Sequence, residues 1–473
     1  MHSNIVVLGG GPGGYAAAFL AADLGMDVTL VESESRLGGT CLLRGCIPSK
    51  ALLHVSKVMD EAVELSEEWG VKFSKPKVNH NRLRDRKNKL ISNLTGGLGQ
   101  LAKKRKVNVI HATGVFENST TLKLEGDDQS IPAEKQLTFD YCILASGSIP
   151  AMPGAFDIGT DRVMDSTGAL DLADIPESLL VIGGGYIGLE MGTVYAHLGS
   201  KVSVVELADG LLMGADRDLV RPLEKRLKGL FEERIFLNTK VGSVGQRGDK
   251  VEVAFEGPSK YGTEKYDRVL VSVGRRPRTF DMGLENTQVK LDGRGFVLHD
   301  AQQKTDDPHI LVIGDAAGEP MLAHKATHEG RLAIEVLAGH PVEFDKAAIP
   351  AVVFTDPEIA WAGVTADDAK RDGRKVEVVS YPWAASGRGQ AIGRTDGMTK
   401  WIVDPETERV LGCGIVGPGA GELIAEAVLA IEMGCEVRDL SETVHPHPTL
   451  SETVMNAAEV FYGTATEVYK PKR

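Results

Sequence analysis

Two cysteines with four residues between them offer the most chemistry in this chain. They lie in Gly38-Gly-Thr-Cys41-Leu-Leu-Arg-Gly-Cys46-Ile-Pro-Ser-Lys50, among glycines and just ahead of a proline. On a regular helix Cys41 and Cys46 would stand about 7.5 Å apart along the axis and about 140° apart around it. A disulfide needs Cα atoms within about 7 Å and Cβ vectors that face each other. Gly38, Gly39 and Gly45 supply irregular backbone that would bring the pair together. Pro48 suits the first turn of a following helix, which puts Cys46 near a helix N-terminus, where a thiolate is stabilised. Lys50 shares that face. Three readings compete. Zinc would need ligands from elsewhere, since no second CxxC is present. A structural disulfide is uncommon in a reducing compartment. A redox-active dithiol is the reading adopted. Cys142, Cys413 and Cys435 stand isolated in apolar or helical context and read as buried small hydrophobes.

Thiol exchange runs through the thiolate, so a dithiol needs a base. His445-Pro-His447-Pro-Thr449-Leu-Ser-Glu452 offers two histidines ahead of a helical run from Leu450 to Phe461. Near neutral pH a histidine suits the task. The prolines would hold both histidines in extended backbone. Plainer readings stand beside this one: a histidine here could be surface loop, and Thr449 with Glu452 fits a T-x-x-E capping box.

The elements that must position this chemistry show as an internal duplication. Ile5-Val-Val-Leu runs into Gly9-x-Gly11-x-x-Gly14 and an alanine-rich helical stretch; Leu179-Leu-Val-Ile runs into Gly183-x-Gly185-x-x-Gly188. Each copy ends in a second β-like run closed by an acid, Val28 to Glu32 and Val202 to Glu206. The spacing from first glycine to acid is the same in both. The first glycine allows the tight strand-to-helix turn, the second admits a pyrophosphate, and the third lets helix and strand pack. The helix N-terminus faces the phosphates and the acid accepts from ribose hydroxyls. One such pattern is weak evidence; two in strand–turn–helix–strand context predict two dinucleotide sites. Glu206 would repel a 2′-phosphate. Leu207-Ala-Asp-Gly210 supplies no cation, so NAD is expected there rather than NADP.

Length and charge bound the rest. The chain has 473 residues. That length suggests three domains of ~150 residues each. It is 42% hydrophobic and 25% charged. Such a composition excludes disordered, collagenous and disulfide-dense classes. The net charge is −13. It opposes general nucleic-acid binding and suits docking on a basic protein. Ile5–Ala22 is uncharged, but it holds five glycines and a proline. Those residues argue against a signal peptide or membrane span. A cytoplasmic protein is expected, and no metal site. The basic stretches Arg82–Lys89 and Lys103–Lys106 read as solvated helix faces.

Together with the cysteine motif and the glycine loops, Ala145-Ser-Gly-Ser-Ile-Pro150, Val273-Gly-Arg-Arg-Pro277, Ile313-Gly-Asp315, Met321-Leu-Ala-His-Lys325, Val353-Phe-Thr-Asp-Pro-Glu358 and His445–Glu452 resemble, end to end, the flavin-dependent pyridine nucleotide–disulfide oxidoreductases. The resemblance implies an α/β fold of two Rossmann-like domains, for FAD and NAD, and a C-terminal α+β dimerisation domain. It implies boundaries of 1–150 and 276–347 for the FAD and central part, 151–275 for NAD, and 348–473 for the interface. It places Glu32 on the FAD ribose and Asp315 on the ribityl chain, with Gly9, Gly11, Gly14, Gly39, Thr40, Gly114, Ser146, Gly147, Met321, Leu322, Ala323 and His324 completing that site. Lys50 would lie beside the flavin ring, paired with Glu190. Gly183, Gly185, Ile187, Gly188, Glu206, Val241 and Gly274 would line the NAD site. His447 is implied as the base and Glu452 as its orienting carboxylate, both from the other subunit of a homodimer. Asp315 also reads as a strand-end cap and His324 as a satisfied histidine at a helix start.

The activity implied is oxidation of a protein-bound dihydrolipoyl group through a Cys41–Cys46 disulfide, FAD and NAD. The implied partners are lipoyl domains and the peripheral-subunit-binding region of dihydrolipoyl acyltransferases, or the glycine cleavage H protein. A glutathione-type reductase would want NADP, and mercuric or large thioredoxin reductases carry further C-terminal cysteines that Thr464–Arg473 lacks. A transhydrogenase would lack the cysteine pair. A non-catalytic flavoprotein subunit would not need Cys41, Cys46 and His447. Leu43-Arg44 and Arg278 depart from the family pattern.

Overall fold

The structure is a computed structural model and describes residues 1–74, 76–257 and 262–469. The apolar run at the N-terminus forms strand β1, His2–Leu8, with Ile5, Val6, Val7 and Leu8 all buried. Helix α1, Pro12–Asp23, follows at once, and strand β2, Val28–Glu32, is buried throughout. Such unbroken apolar strands belong to a parallel sheet covered on both faces. The sheet runs Asn108–His111, β2, β1, Gln136–Leu144, Ile310–Val312, all parallel, and an antiparallel hairpin, Thr113–Asn118 with Thr121–Glu125, extends from Gln136–Leu144. Residue 310 thus returns to the sheet begun at residue 2.

The second glycine segment builds the same unit again. Its parallel order is Ile235–Phe236, Lys201–Val205, Ser178–Ile182, Arg268–Val271, Val163–Met164, with helix Tyr186–Leu198 in the place of α1. A three-stranded antiparallel sheet spanning Lys240–Tyr266 is inserted before its fourth strand. From Ala351 onward the chain forms a five-stranded antiparallel sheet against helices Ala420–Glu432 and Glu452–Tyr462. Its core holds Trp383, Trp401 and Cys413. Strands Ala351–Val353 and Met398–Val403 and helix Ala420–Glu432 give this part the α+β character that the resemblance implies.

Buried charge fixes the second unit to the C-terminal sheet. Lys400 is 1% exposed and its Nζ lies 2.5 Å from Asp216 and 2.7 Å from Asp218. A cation so deep is tolerated only when carboxylates meet it. Asp216 also accepts the N–H groups of Ala366 and Asp367.

Two expectations need correction. The stretch Arg82–Lys89 lies on helix His80–Lys104, yet Lys87 is buried and donates to the Leu170 carbonyl at 2.6 Å. Charge alone did not reveal that a neighbouring helix end would cover it. Cys142 and Cys413 are fully buried as expected, whereas Cys435 is half-buried. Among the described residues no helix is long and apolar enough to cross a membrane.

Candidate active site

Both glycine loops are built by the same steric demands. Gly9 and Gly183 sit at φ +117° and +110°, and a Cβ there would stand 2.3 Å from the Ala145 carbonyl and 2.5 Å from that of Ser272. Such backbone is open to glycine and costly for any residue with a side chain. A Cβ on Gly14 or Gly188 would meet the carbonyl of its own first glycine, at 1.8 and 2.5 Å. The middle glycines differ: Gly11 has only Gly39 Cα within reach, at 3.8 Å, and Gly185 has nothing within 4 Å. Their missing side chains leave room for a ligand rather than for protein.

The acids also match. Glu32 accepts the Gly10 N–H at 2.7 Å and the Glu34 N–H at 2.8 Å; Glu206 accepts those of Gly184 at 2.6 Å and Ala208 at 2.7 Å. Each carboxylate braces its loop through one oxygen and the following turn through the other.

The first loop opens on a cavity of about 880 Å³. Gly9, Gly11, Gly14, Glu32, Gly39, Thr40, Gly114, Ser146, Gly147, Asp315, Met321 and Ala323 line it, and so do Cys41, Cys46, Lys50, Ile187 and Glu190. Leu322 and His324 do not. His324 instead bonds the Pro350 carbonyl through Nε2 at 2.8 Å, and burial holds its pKa down. Gly183, Gly185, Gly188, Glu206, Val241 and Gly274 lie outside this cavity, in the second unit.

The cysteine pair sits where two helices meet. Helix α2, Gly39–Arg44, carries Cys41; helix α3, Cys46–Glu68, begins with Cys46; Gly45 separates them at φ −145°, ψ −116°. Both are free thiols, close enough to hydrogen-bond. Their acidities are pushed apart. The hydrogen bond from Cys41 and the Lys50 charge outweigh burial and bring Cys46 down to about 7. Cys41, as the donor, is pushed well above the ordinary thiol range, with burial adding to the effect. Cys46 is exposed only in the sense that it faces the cavity. Of the two, Cys46 is the sulfur more readily ionised.

Lys50, one turn beyond Cys46, is held by Glu190 from the second unit at 2.8 and 3.1 Å, with its Nζ 4.6 Å above the Phe354 ring. Glu190 also accepts the Phe354 N–H at 3.0 Å. The second unit and the C-terminal segment thus converge on the cysteines.

Sequence reasoning did not foresee the polar links around Asp315. Ser148 donates to Asp315, and Arg275 grips Ser148 through Nε to Oγ at 2.8 Å and Nη2 to the carbonyl at 2.7 Å. Beneath the turn, the buried pair Lys325–Glu329, at 2.7 Å, bonds Gly314 on both sides, Glu329 taking its N–H at 2.7 Å and Lys325 facing its carbonyl at 3.5 Å. The i, i+4 spacing of Lys325 and Glu329 was the one local signal. Tyr186, at the start of the second loop's helix, also lines the cavity, and burial lifts its phenol to about 12.

The histidine motif lies elsewhere on the chain. Among the described residues, no histidine lines the cavity. His447 is 76% exposed and its Nδ1 lies 2.9 Å from Glu452. Glu452 also accepts the Thr449 N–H at 2.7 Å. Burial would raise that carboxyl, but the Thr449 N–H and His447 outweigh it and hold it below the usual range. The capping box is half formed: the helix begins at Glu452, and the Thr449 hydroxyl donates to the Pro446 carbonyl instead. Glu452 therefore braces the turn and orients His447 at once. His445 is buried against Glu426 at 2.7 Å.

The chain was compared with known proteins. Residues 3–330 match the profile of the pyridine nucleotide-disulphide oxidoreductases, and residues 349–458 match the dimerisation domain of the same family. The chain belongs to this family. As a pyridine nucleotide-disulphide oxidoreductase it is an α/β flavoprotein enzyme with FAD and NAD as cofactors, and its dimerisation domain makes it a subunit of a homodimer. A dihydrolipoyl dehydrogenase of Vibrio cholerae is 48% identical over 473 residues, covering 100% of this chain and 98% of the relative. One from Haemophilus influenzae is 46% identical over 472 residues, with 100% and 98% covered. Among solved structures, LpdA from Mycobacterium tuberculosis is similar at a TM-score of 0.87 and 26% identity, over 97% of this chain and 99% of that one. The HOCl-induced flavoprotein disulfide reductase RclA from Escherichia coli is similar at 0.85 and 27%, over the same shares.

The residues present fit the cofactors. The Ser146 hydroxyl is buried in the cavity wall without a hydrogen-bond partner. Gly11 and Gly185 leave open space beside their helices. A pyrophosphate takes that kind of space at a helix N-terminus.

Proposed function

We propose that the chain oxidises the dihydrolipoyl group of carrier proteins to its cyclic disulfide, with NAD as the final acceptor. The observation that carries this reading is the placing of Cys41 and Cys46, beside Lys50 held by Glu190, in a cavity reached by the first glycine loop. The names of the relatives, at 46 and 48% identity over the full chain, supply the substrate class.

In this reading the first loop, with Glu32, Gly39, Thr40, Gly114, Ser146, Gly147, Asp315 and the Met321–His324 segment, holds FAD. The second, with Ile187, Glu206, Val241 and Gly274, holds NAD. Bound there, FAD would supply the two-electron relay between the dithiol and NAD. Residues 1–150 and 276–347 make up the FAD and central part, 151–275 the NAD domain, and 348–473 the interface.

The chain's own residues carry the sulfur chemistry. The cycle starts with Cys41 and Cys46, free thiols in this structure, oxidised to a disulfide. The partner subunit's His447 removes a proton from one substrate thiol, and that thiolate attacks Cys41 Sγ. The Cys41–Cys46 bond breaks and Cys46 leaves as a thiolate, which its low pKa favours. The second substrate thiol then attacks the substrate sulfur bonded to Cys41, closing the cyclic disulfide and freeing Cys41. Cys41 takes up the proton held by His447, as its high pKa requires. The proton of the second thiol passes to His447. Glu452 keeps His447 in the tautomer and orientation that this needs, and Lys50, fixed by Glu190, supports the Cys46 thiolate.

The second subunit is called for because the cavity contains no histidine of its own among the described residues. The carriers proposed are lipoyl domains of acyltransferase complexes or the glycine cleavage H protein, in the cytoplasm, and acyltransferase peripheral-subunit-binding regions are the proposed docking partners. Subunit mixing tests the scheme. C46S and H447Q homodimers should each be inactive, and mixed dimers should regain dihydrolipoamide-dependent NADH formation because one site is intact. Mixed dimers as inactive as their parents would count against it.

A further inference from the structure

The place of Arg44 in the structure gives it a task. It ends helix α2, between the two cysteines, and its guanidinium pairs with Glu34. Both side chains line the cavity of the first glycine loop. Glu34 is not a loose partner. Its N–H is held by Glu32 at 2.8 Å and its carbonyl by His111 Nδ1 at 2.7 Å. Glu32 in turn holds the Gly10 N–H. At the other end, α2 starts at Gly39, whose absent side chain lets it lie against Gly11, where a Cβ would stand 2.5 Å from the Gly11 Cα. The cysteine loop is thus fastened to the nucleotide loop at both ends, by close packing at Gly39 and by an ion pair at Arg44.

We infer that the Glu34–Arg44 ion pair is a strap across the mouth of the first dinucleotide site, which slows the exit of the bound dinucleotide by tying the redox loop to the loop after β2. This rests on the reading that the first loop holds FAD. The pair is partly solvated, with 44% and 36% of the two side chains exposed. Its effect is therefore modest and salt-sensitive. A residue acting this way is a positioning residue. It alters how long the cofactor stays, and Cys41 and Cys46 keep their chemistry.

The test dilutes purified holoenzyme and follows the rise of free-flavin fluorescence as FAD leaves. E34Q and R44Q should each release FAD roughly threefold to fivefold faster than the unaltered chain at low ionic strength. Added potassium chloride should speed release from the unaltered chain and leave the two variants nearly unchanged. The charge-swapped E34R/R44E chain should recover most of the retention, which a generally loosened fold would not do. Release at the original rate in both single variants, or a swapped chain as leaky as the singles, would overturn the strap. Protein purified without any flavin would overturn the cofactor reading beneath it as well.

Discussion

The two glycine loops share their backbone and differ in what covers them. The first is roofed: Gly39 packs on Gly11, the cysteine loop closes over it, and Glu34 meets Arg44 at the edge. The second is open, with Gly185 clear of any neighbour within 4 Å and Leu207, just past its acid, 69% exposed. On the reading proposed above, one architecture yields a site that keeps its ligand and a site that exchanges it. The difference comes from the residues inserted between the repeated elements rather than from the glycine pattern. A resident cofactor and a diffusing one need opposite barriers to exit, and this chain supplies both from one duplicated unit.

The strongest way to break that comparison is to remove the chemistry while leaving both sites intact. Cys46→Ser should lower dihydrolipoamide-dependent NADH formation by about a thousandfold or more. The protein should still carry FAD and bind NAD, measured by absorbance of the purified protein and by calorimetry. Next in size is a steric pair. Gly14→Ala forces a Cβ onto the Gly9 carbonyl, at 1.8 Å, and should give protein without flavin; Gly185→Ala meets no protein atom. It should keep its flavin and raise the KM for NAD by about tenfold, since only ligand space is lost. Equal flavin loss in both would erase the distinction between the loops.

Glu206 sharpens the comparison further. Glu206→Ala should raise the KM for NAD by roughly tenfold, about 1.4 kcal/mol, and narrow the preference over NADP, because the repulsion of a 2′-phosphate goes with the carboxylate. The smallest effect is one of pH. The thiolate is the form that alkylates. Labelling of the reduced protein at Cys46 should therefore rise as pH climbs through about 7. Cys41 should stay unlabelled over that range. In Cys41→Ala the neighbouring donor is gone, and the Cys46 profile should move to higher pH, read by mass spectrometry of iodoacetamide adducts.

What could be read from the sequence was whatever steric demand writes into a short stretch. Gly9, Gly14 and Glu32 announce themselves because only glycine fits the turn and only an acid at that distance reaches back to Gly10. The Cys41–Cys46 loop was legible for the same reason, with Gly45 supplying the break between α2 and α3. The network around Asp315 was not, because Ser148 and Arg275 are remote from it in the chain, and only the folded sheet brings them together. Lys87 misled for a related reason: its burial depends on a helix end far along the chain, at Leu170. Glu452 was half legible, since the same spacing serves a cap and a histidine clamp.

The central claim is that the Cys41–Cys46 pair passes electrons from a dihydrolipoyl dithiol toward NAD. The direct test is an anaerobic single-turnover mixture of holoenzyme, dihydrolipoamide and NAD, with NADH and oxidised lipoamide both measured and the cysteines trapped by alkylation. One NADH should form for each lipoamide oxidised in the unaltered chain, and none in flavin-loaded Cys46→Ser. Stoichiometric NADH from flavin-loaded Cys46→Ser, or none from the unaltered chain, would contradict it.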